Sequence, residues 1–435
     1  KNAQKALDEF LLLDQEQIDH IVAKCCVAGL DHHGSLAQLA VEETKRGVFE
    51  DKATKNLFAC EYVQNNMRHL KTVGVISEDP VTGITEIADP IGVVAGVTPV
   101  TNPTSTVIFK SLICLKTRNP IIFGFHPSAQ ESSKQAAIVM KEAAEAAGAP
   151  KNCIQWIEHP SMDATTALMH HPGVATILAT GGNAMVNAAY SCGKPAMGVG
   201  AGNVPAYMNK SCDVEQAVND ITLSKAFDNG MICASESAAI IDEEIYKEAV
   251  EMFKRFKVYF VNAEEKAKLS RFLFGYAKGD KDVEQARLNS VVAGQSAVWI
   301  AKQAGFDVPK DTAVLACECK EVGPKEPMSR EKLSPVLAVY KVKDDKEGFK
   351  RAAEMVEFNG LGHSAAIHCK EQAMADAYGE NCKAMRIIWN SPATFGGIGN
   401  VYNSFLPSLT LGCGSYGKNS IGGNVSAVNL LNVKK

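Results

Sequence analysis

A chain of 435 residues with 46% apolar and 22% charged side chains is long enough for about two or three domains around large buried cores. A net charge of -4 and a pI near 6.2 leave no basic stripe for nucleic acid, no apolar run approaches the roughly 18 residues of a membrane span, and the first residues lack the layout of a signal peptide. Thirteen cysteines, scattered without a C-x-x-C pair, predict reduced thiols in a cytoplasmic setting; neither Cys317 and Cys319 nor the His32-His33 and His170-His171 pairs have metal-ligand spacing, so no metal site is expected.

In chain order, residues 3–70 repeat apolar side chains at three- and four-residue spacing, through Ala6, Phe10, Ile18, Ile21 and Val22, which predicts helices. Residues 72–88 change period around Asp79-Pro80-Val81-Thr82-Gly83 and predict a β-hairpin. It precedes any parallel-sheet signal, so it is expected to project and pair with another subunit or domain. From residue 91, apolar runs over 91–97, 120–125, 153–157, 174–179 and 196–199 alternate with helical patterns over 105–115, 129–147 and 162–169. That rhythm predicts an α/β fold with a doubly wound parallel sheet.

A ligand of such a sheet lies across the carboxyl ends of its strands. The segments there are Thr98-Pro99-Val100-Thr101-Asn102-Pro103, His126-Pro127-Ser128, Thr180-Gly181-Gly182 and Gly200-Ala201-Gly202-Asn203. Their small polar residues suit either a phosphate-bearing ligand or plain tight turns. A second α/β region spans about 237–390, with strands over 238–241, 258–261, 336–342, 365–368 and 385–389. A glycine-rich tail and a short β-like end from Asn424 follow. Gly412 to Gly417 matches G-x-G-x-x-G, but no βαβ unit surrounds it, and a structural loop is the better reading.

The stretch Phe227-Asp228-Asn229-Gly230-Met231-Ile232-Cys233 offers one cysteine after a turn-forming pair. A thiolate attacks carbonyl carbon far better than a hydroxyl does, and nearby backbone N–H groups favour the thiolate. Cys233 is therefore the candidate nucleophile.

These features resemble the aldehyde dehydrogenase superfamily over essentially the whole chain. Thr101-Asn102-Pro103-Thr104-Ser105-Thr106, Gly198-Val199-Gly200-Ala201-Gly202-Asn203, Phe227-Asp228-Asn229-Gly230 with Cys233, Glu331-Lys332-Leu333-Ser334-Pro335, Gly362-His363 and Leu409-Thr410-Leu411-Gly412-Cys413-Gly414 are similar to its CoA-acylating acetaldehyde dehydrogenase branch. The resemblance implies an NAD-binding domain over 1–71 and 89–223, oligomerisation β-elements at 72–88 with 424–435, and a catalytic domain over 224–423.

It also implies a mechanism in which Cys233 attacks a small aldehyde, hydride passes to NAD, and coenzyme A takes the acyl group. The oxyanion is expected to meet the Cys233 N–H and Asn102, with Thr101 a rival. His363, read as lying in a glycine-flanked loop, is expected to orient or deprotonate CoA. Cofactor contacts are expected from Val97, Thr98, Pro99, Val100, Thr101, Asn102, His126, Gly182, Gly200, Glu331 and Leu411. His126 stands where relatives often carry lysine, which weakens any case for a 2′-phosphate. Hydrolytic relatives carry a glutamate where this chain has Val199, so the base that activates water is missing. The implied partners are aldehyde and acyl-CoA substrates, a homo-oligomer, and an iron-dependent alcohol dehydrogenase domain in the full-length protein. A hydrolytic aldehyde dehydrogenase and a non-catalytic assembly scaffold are the rival readings.

Overall fold

The computed structural model describes the whole chain apart from the side chain of Asn183. Helices Asn2–Phe10, Gln15–Asp31, His33–Thr44 and Phe49–Leu57 open it. Asp14 and Gln17 form a reciprocal capping box at the start of the second, satisfying backbone donors that a helix end leaves unpaired. The apolar faces of the second and third pack against helices Pro103–Lys116 and Gln130–Ala146 to build one core layer around Phe10, Ile21, Val107, Phe109 and Met140.

Strands β1 (Gly74–Asp79) and β2 (Ile84–Pro90) form the antiparallel hairpin. Its turn is set by the Asp79 carboxylate, which accepts from Val81 N–H at 2.9 Å and Thr82 Oγ1 at 2.8 Å, and by Gly83 at φ +70. The last strand, β15 (Leu431–Lys434), pairs antiparallel with β2 through Val433 and Ala88, closing a three-stranded sheet. Val75, Val81, Ile84, Ile87 and Val433 are exposed on it.

Five parallel strands follow: β3 (Val94–Val97), β4 (Ile121–Gly124), β5 (Ile154–Trp156), β6 (Thr176–Ala179) and β7 (Ala196–Gly198), in spatial order β5-β4-β3-β6-β7. The chain winds outward from β3, returns to its other side at β6 and winds outward again, so the switch point lies between β3 and β6. Every residue of β3 and β6 is buried, as strands covered on both faces require.

The second sheet has seven strands: β8 (Val204–Met208), β9 (Glu236–Asp242), β10 (Val258–Phe260), β11 (Val314–Glu318), β12 (Val336–Val342), β13 (Gly362–His368) and β14 (Ala384–Trp389). They are all parallel, in order β10-β11-β12-β9-β8-β13-β14. β8 and β11 differ from the sequence expectation. Pro205 argues against a strand, yet it sits at a register irregularity against β9 where it is tolerated. β8 and helix Val214–Ala226 pack with the second sheet, so the boundary between the two α/β regions falls near Gly202 and not at 223. The segment 199–203 leads straight from the carboxyl end of β7 to the amino end of β8. A small apolar cluster of Phe58, Val199, Ile232, Ala234, Ile398, Leu411 and Cys413 fills this junction, and Cys233 packs against it. Among the described residues no helix is long and apolar enough to cross a membrane.

Candidate active site

Asp228, Asn229 and Gly230 are successive left-handed residues, with φ of 48°, 52° and 68°. At Gly230 a Cβ would stand 2.6 Å from the Ser334 carbonyl oxygen, so glycine is required sterically as well as conformationally. The Asn229 amide donates to Gly294 O at 2.9 Å, and Ser235 N–H donates to Ile232 O at 2.9 Å. These contacts fix Cys233 in a turn immediately before β9.

A Cβ at Gly202 would lie 1.8 Å from the Cys233 carbonyl oxygen and 3.3 Å from His363 Cε1. The Cys233 backbone and the histidine ring therefore close over one glycine that admits no side chain. The Cys233 thiol, half-buried, is pushed up to about 12, chiefly by burial and then by Glu331 and Cys413, with Arg386 opposing. The resting group is a thiol, and catalysis has to supply the acceptor for its proton.

His363 is the second residue of β13 and wholly buried, which corrects the expectation of a loop position. Its Nδ1 lies 3.1 Å from Ser364 Oγ, and its Nε2 has no partner. Burial and the neighbouring Arg386 hold its pKa well below the usual imidazole range, so the ring is a neutral base at physiological pH. Arg386, on β14, donates to His363 O at 2.8 Å, Ser364 Oγ at 3.1 Å and Gly412 O at 2.9 Å. It ties the glycine tail to the histidine.

On the cofactor side, Val97 ends β3 and accepts from Thr180 N–H at 3.1 Å across the switch point. The buried Thr98 hydroxyl has no partner; Pro99 is buried, and Val100, Thr101 and Asn102 are partly exposed. Gly182 is the uncapped N-cap of helix Asn183–Ser191, with open space where a Cβ would be. Gly200 faces Cys413 Sγ, 3.6 Å from its would-be Cβ. Glu331 Oε1 accepts from Gly202 N–H at 3.0 Å, and burial pushes its carboxyl up to about 7. Leu411 is buried beside the Cys233 cluster. His126 is exposed at the end of β4, where its Nδ1 accepts from Ser128 N–H at 3.1 Å. It stands apart from the Cys233 group. The Thr98 hydroxyl, the helix N-terminus at Gly182 and the Glu331 carboxylate are groups of the kind a dinucleotide engages.

A cleft of about 300 Å³ opens beside Gly200, between Val186 and Asn187 on one wall and Phe358, Tyr416 and Lys418 on the other. A larger one of about 690 Å³ lies at the opposite, carboxyl end of the second sheet, lined by Phe260, Cys319, Lys341 and Arg351. It contains none of the candidate residues.

Sequence reasoning missed a buried ionic cluster. Lys52, Lys55 and Asp228 are 2%, 3% and 0% exposed. Lys52 Nζ is 3.2 Å from Asp228 Oδ2, and Lys55 pairs with the same oxygen. Lys55 also donates to Asn102 Oδ1 at 2.6 Å. Helix Phe49–Leu57 buries Lys52, Lys55 and Asn56. A search for apolar periodicity passes over such a helix; the available signal was charge at i, i+3 spacing.

Residues 1–264 match the model of the aldehyde dehydrogenase family. An aldehyde-alcohol dehydrogenase of Streptococcus pneumoniae serotype 4 is 67% identical over 94% of this chain and 46% of its own length; the chain spans about half the length of the first such relatives. The crystal structure of an acetylating aldehyde dehydrogenase from Geobacillus thermoglucosidasius covers the whole chain, and 94% of itself, at a TM-score of 0.95 and 45% identity. That of a Rhodopseudomonas palustris propionaldehyde dehydrogenase, with bound CoA and an acylated cysteine, covers the same shares at 0.87 and 25%. With this geometry and these similarities together, the chain belongs to the aldehyde dehydrogenase family.

Proposed function

We propose that this chain is a CoA-acylating acetaldehyde dehydrogenase, interconverting acetaldehyde, CoA and NAD with acetyl-CoA and NADH. One observation carries the reading: Cys233 shares the space above Gly202 with a neutral, half-unpartnered histidine, while the position of the water-activating glutamate is Val199, buried in the apolar junction. With no carboxylate at that position, the thioester is left for a better nucleophile than water.

Cys233 gives up its thiol proton to solvent as its sulfur bonds to the aldehyde carbon and the carbonyl electron pair moves to oxygen. The Cys233 N–H and the Asn102 amide, or the Thr101 hydroxyl, stabilise that oxyanion. Bound NAD would supply the hydride acceptor there, and Cys233 would then carry the thioacyl group. Val97, Thr98, Pro99, Val100, Thr101, Asn102, Gly182, Gly200 and Glu331 would hold the NAD, with His126 near the adenosine. His363 Nε2 then takes the proton of the CoA thiol as that sulfur attacks the thioester, and Cys233 leaves as thiolate.

The exposed apolar side chains of the hairpin and β15 suit pairing with a second copy, and a cytoplasmic homo-oligomer follows from that reading. An iron-dependent alcohol dehydrogenase domain would accompany this one in the full-length protein.

The purified chain with acetaldehyde and NAD, with and without CoA, tests the reading by NADH and acetyl-CoA formation. CoA-dependent turnover lost in Cys233→Ala supports it. Steady CoA-independent NADH production points to hydrolysis, and no cysteine-dependent signal points to a scaffold.

A further inference from the structure

We infer that Lys55 is a positioning residue that aims the Asn102 amide N–H at the substrate oxygen and ties it to the nucleophile turn. The inference rests on the reading of Asn102 as an oxyanion donor. An asparagine amide presents a donor at one end and an acceptor at the other, and its partners decide which faces the site. Here the Lys55 ammonium, a pure donor, stands 2.6 Å from Asn102 Oδ1. A flipped amide would set N–H against ammonium. The carbonyl end is therefore locked outward, and Nδ2 gives one hydrogen to Thr101 Oγ1 at 3.2 Å and keeps the second for a ligand.

Lys55 is itself held by Asp228, whose other oxygen accepts from Val48 N–H at 2.8 Å and whose own N–H donates to Asp51 at 2.7 Å. One turn earlier on the same helix, Lys52 donates to Thr101 O at 3.0 Å while pairing with Asp228. Two lysines thus grip both members of the Thr101-Asn102 pair and fasten them to the residue that begins the left-handed turn before Cys233. Lys55 also lies 5.8 Å from the centroid of the Phe227 ring, the next residue back. Two buried ammonium groups on one carboxylate form a costly arrangement that stability alone does not favour over apolar packing. Registering a donor on one domain against a nucleophile on the other accounts for it, because sub-ångström misplacement of either costs rate.

The test is a double-mutant cycle of Lys55→Met and Asn102→Ala, read as CoA-dependent kcat and KM alongside the rate of Cys233 alkylation by iodoacetamide. Lys55→Met is expected to lower kcat about 10- to 100-fold, at or below the roughly 10²- to 10³-fold cost of losing an oxyanion donor outright. KM and the alkylation rate should stay within about twofold. In the Asn102→Ala background the same change should add less than about threefold, because the two residues act as one unit. Lys55→Arg, which keeps a charged donor, should recover much of the loss. If Lys55→Met does not fold, Lys55→Gln carries the same cycle. Wild-type kcat in the lysine variant, or losses that multiply in the double variant, overturns the inference while leaving the oxyanion reading intact. Wild-type kcat in Asn102→Ala overturns that reading and the inference with it.

Discussion

The two parallel sheets bring opposite ends to the candidate site. The five-stranded sheet works at its carboxyl ends, where Thr98, Thr180 and Gly182 follow β3 and β6 and the strand order reverses. It offers mainly backbone N–H groups and small side chains. The seven-stranded sheet presents its candidate residues at its amino ends: Cys233 just before β9 and His363 at the start of β13. It offers reactive side chains. The rule that ligands gather at carboxyl ends follows from converging helix N-termini, and it governs the sheet that needs them. A nucleophile needs a rigid turn and close neighbours, which either end of a strand can supply. The direct passage from β7 to β8 sets one sheet's carboxyl end against the other's amino end.

The sharpest way to break this division of labour is Cys233→Ala, which should reduce CoA-dependent NADH formation by at least about 10⁴-fold while leaving NAD binding, followed by quenching of protein fluorescence, nearly unchanged. Next, with His363 acting on the CoA thiol as proposed, His363→Ala should cut steady CoA-dependent turnover by about 10²-fold but preserve a rapid initial release of NADH near one per chain. Stopped-flow absorbance separates the two phases; loss of both would place His363 in the first half-reaction. Gly202→Ala should cost up to about 10²-fold in kcat, because its Cβ would displace the Cys233 carbonyl and shift the nucleophile. Steady-state kinetics at saturating cofactor measures it.

The smallest effect concerns stability. Burial raises the Glu236 carboxyl from its ordinary 4.5 to about 7, so its ionised form is disfavoured in the folded chain. That cost is present above about pH 7 and fades as pH falls toward 4.5. Glu236→Gln should therefore be more stable than the parent by about 1–3 kcal/mol at pH 8, with the gap closing by pH 5. Urea titrations at the two values decide it.

The first sheet, the hairpin and the turn that carries Cys233 were legible because each has a local signature: apolar runs, turn residues around Gly83, and Asn229-Gly230 ahead of Cys233. β8 was hidden by Pro205, whose strand placement depends on a register irregularity that only tertiary pairing creates. His363 was recognised as a residue but misplaced as a loop, since the glycine before it reads as a turn although it opens a strand. Lys52, Lys55 and Arg386 escaped notice because long charged residues read as surface, and what buries them are carbonyl and carboxylate partners far away in sequence.

The left-handed turn also bears on how the molecule ages. Asn-Gly is the dipeptide in which the following backbone nitrogen most readily attacks the side-chain amide, closing a succinimide that opens to aspartate and isoaspartate. In the folded chain Asn229 is held at ψ 40°, with its amide engaged by Gly294, which restrains the rotations that bring nitrogen and carbon together. Isoaspartate at this position therefore accumulates only while the turn is open. Its content, read by mass spectrometry in a stored preparation, is a running record of how often the region around Cys233 has come undone.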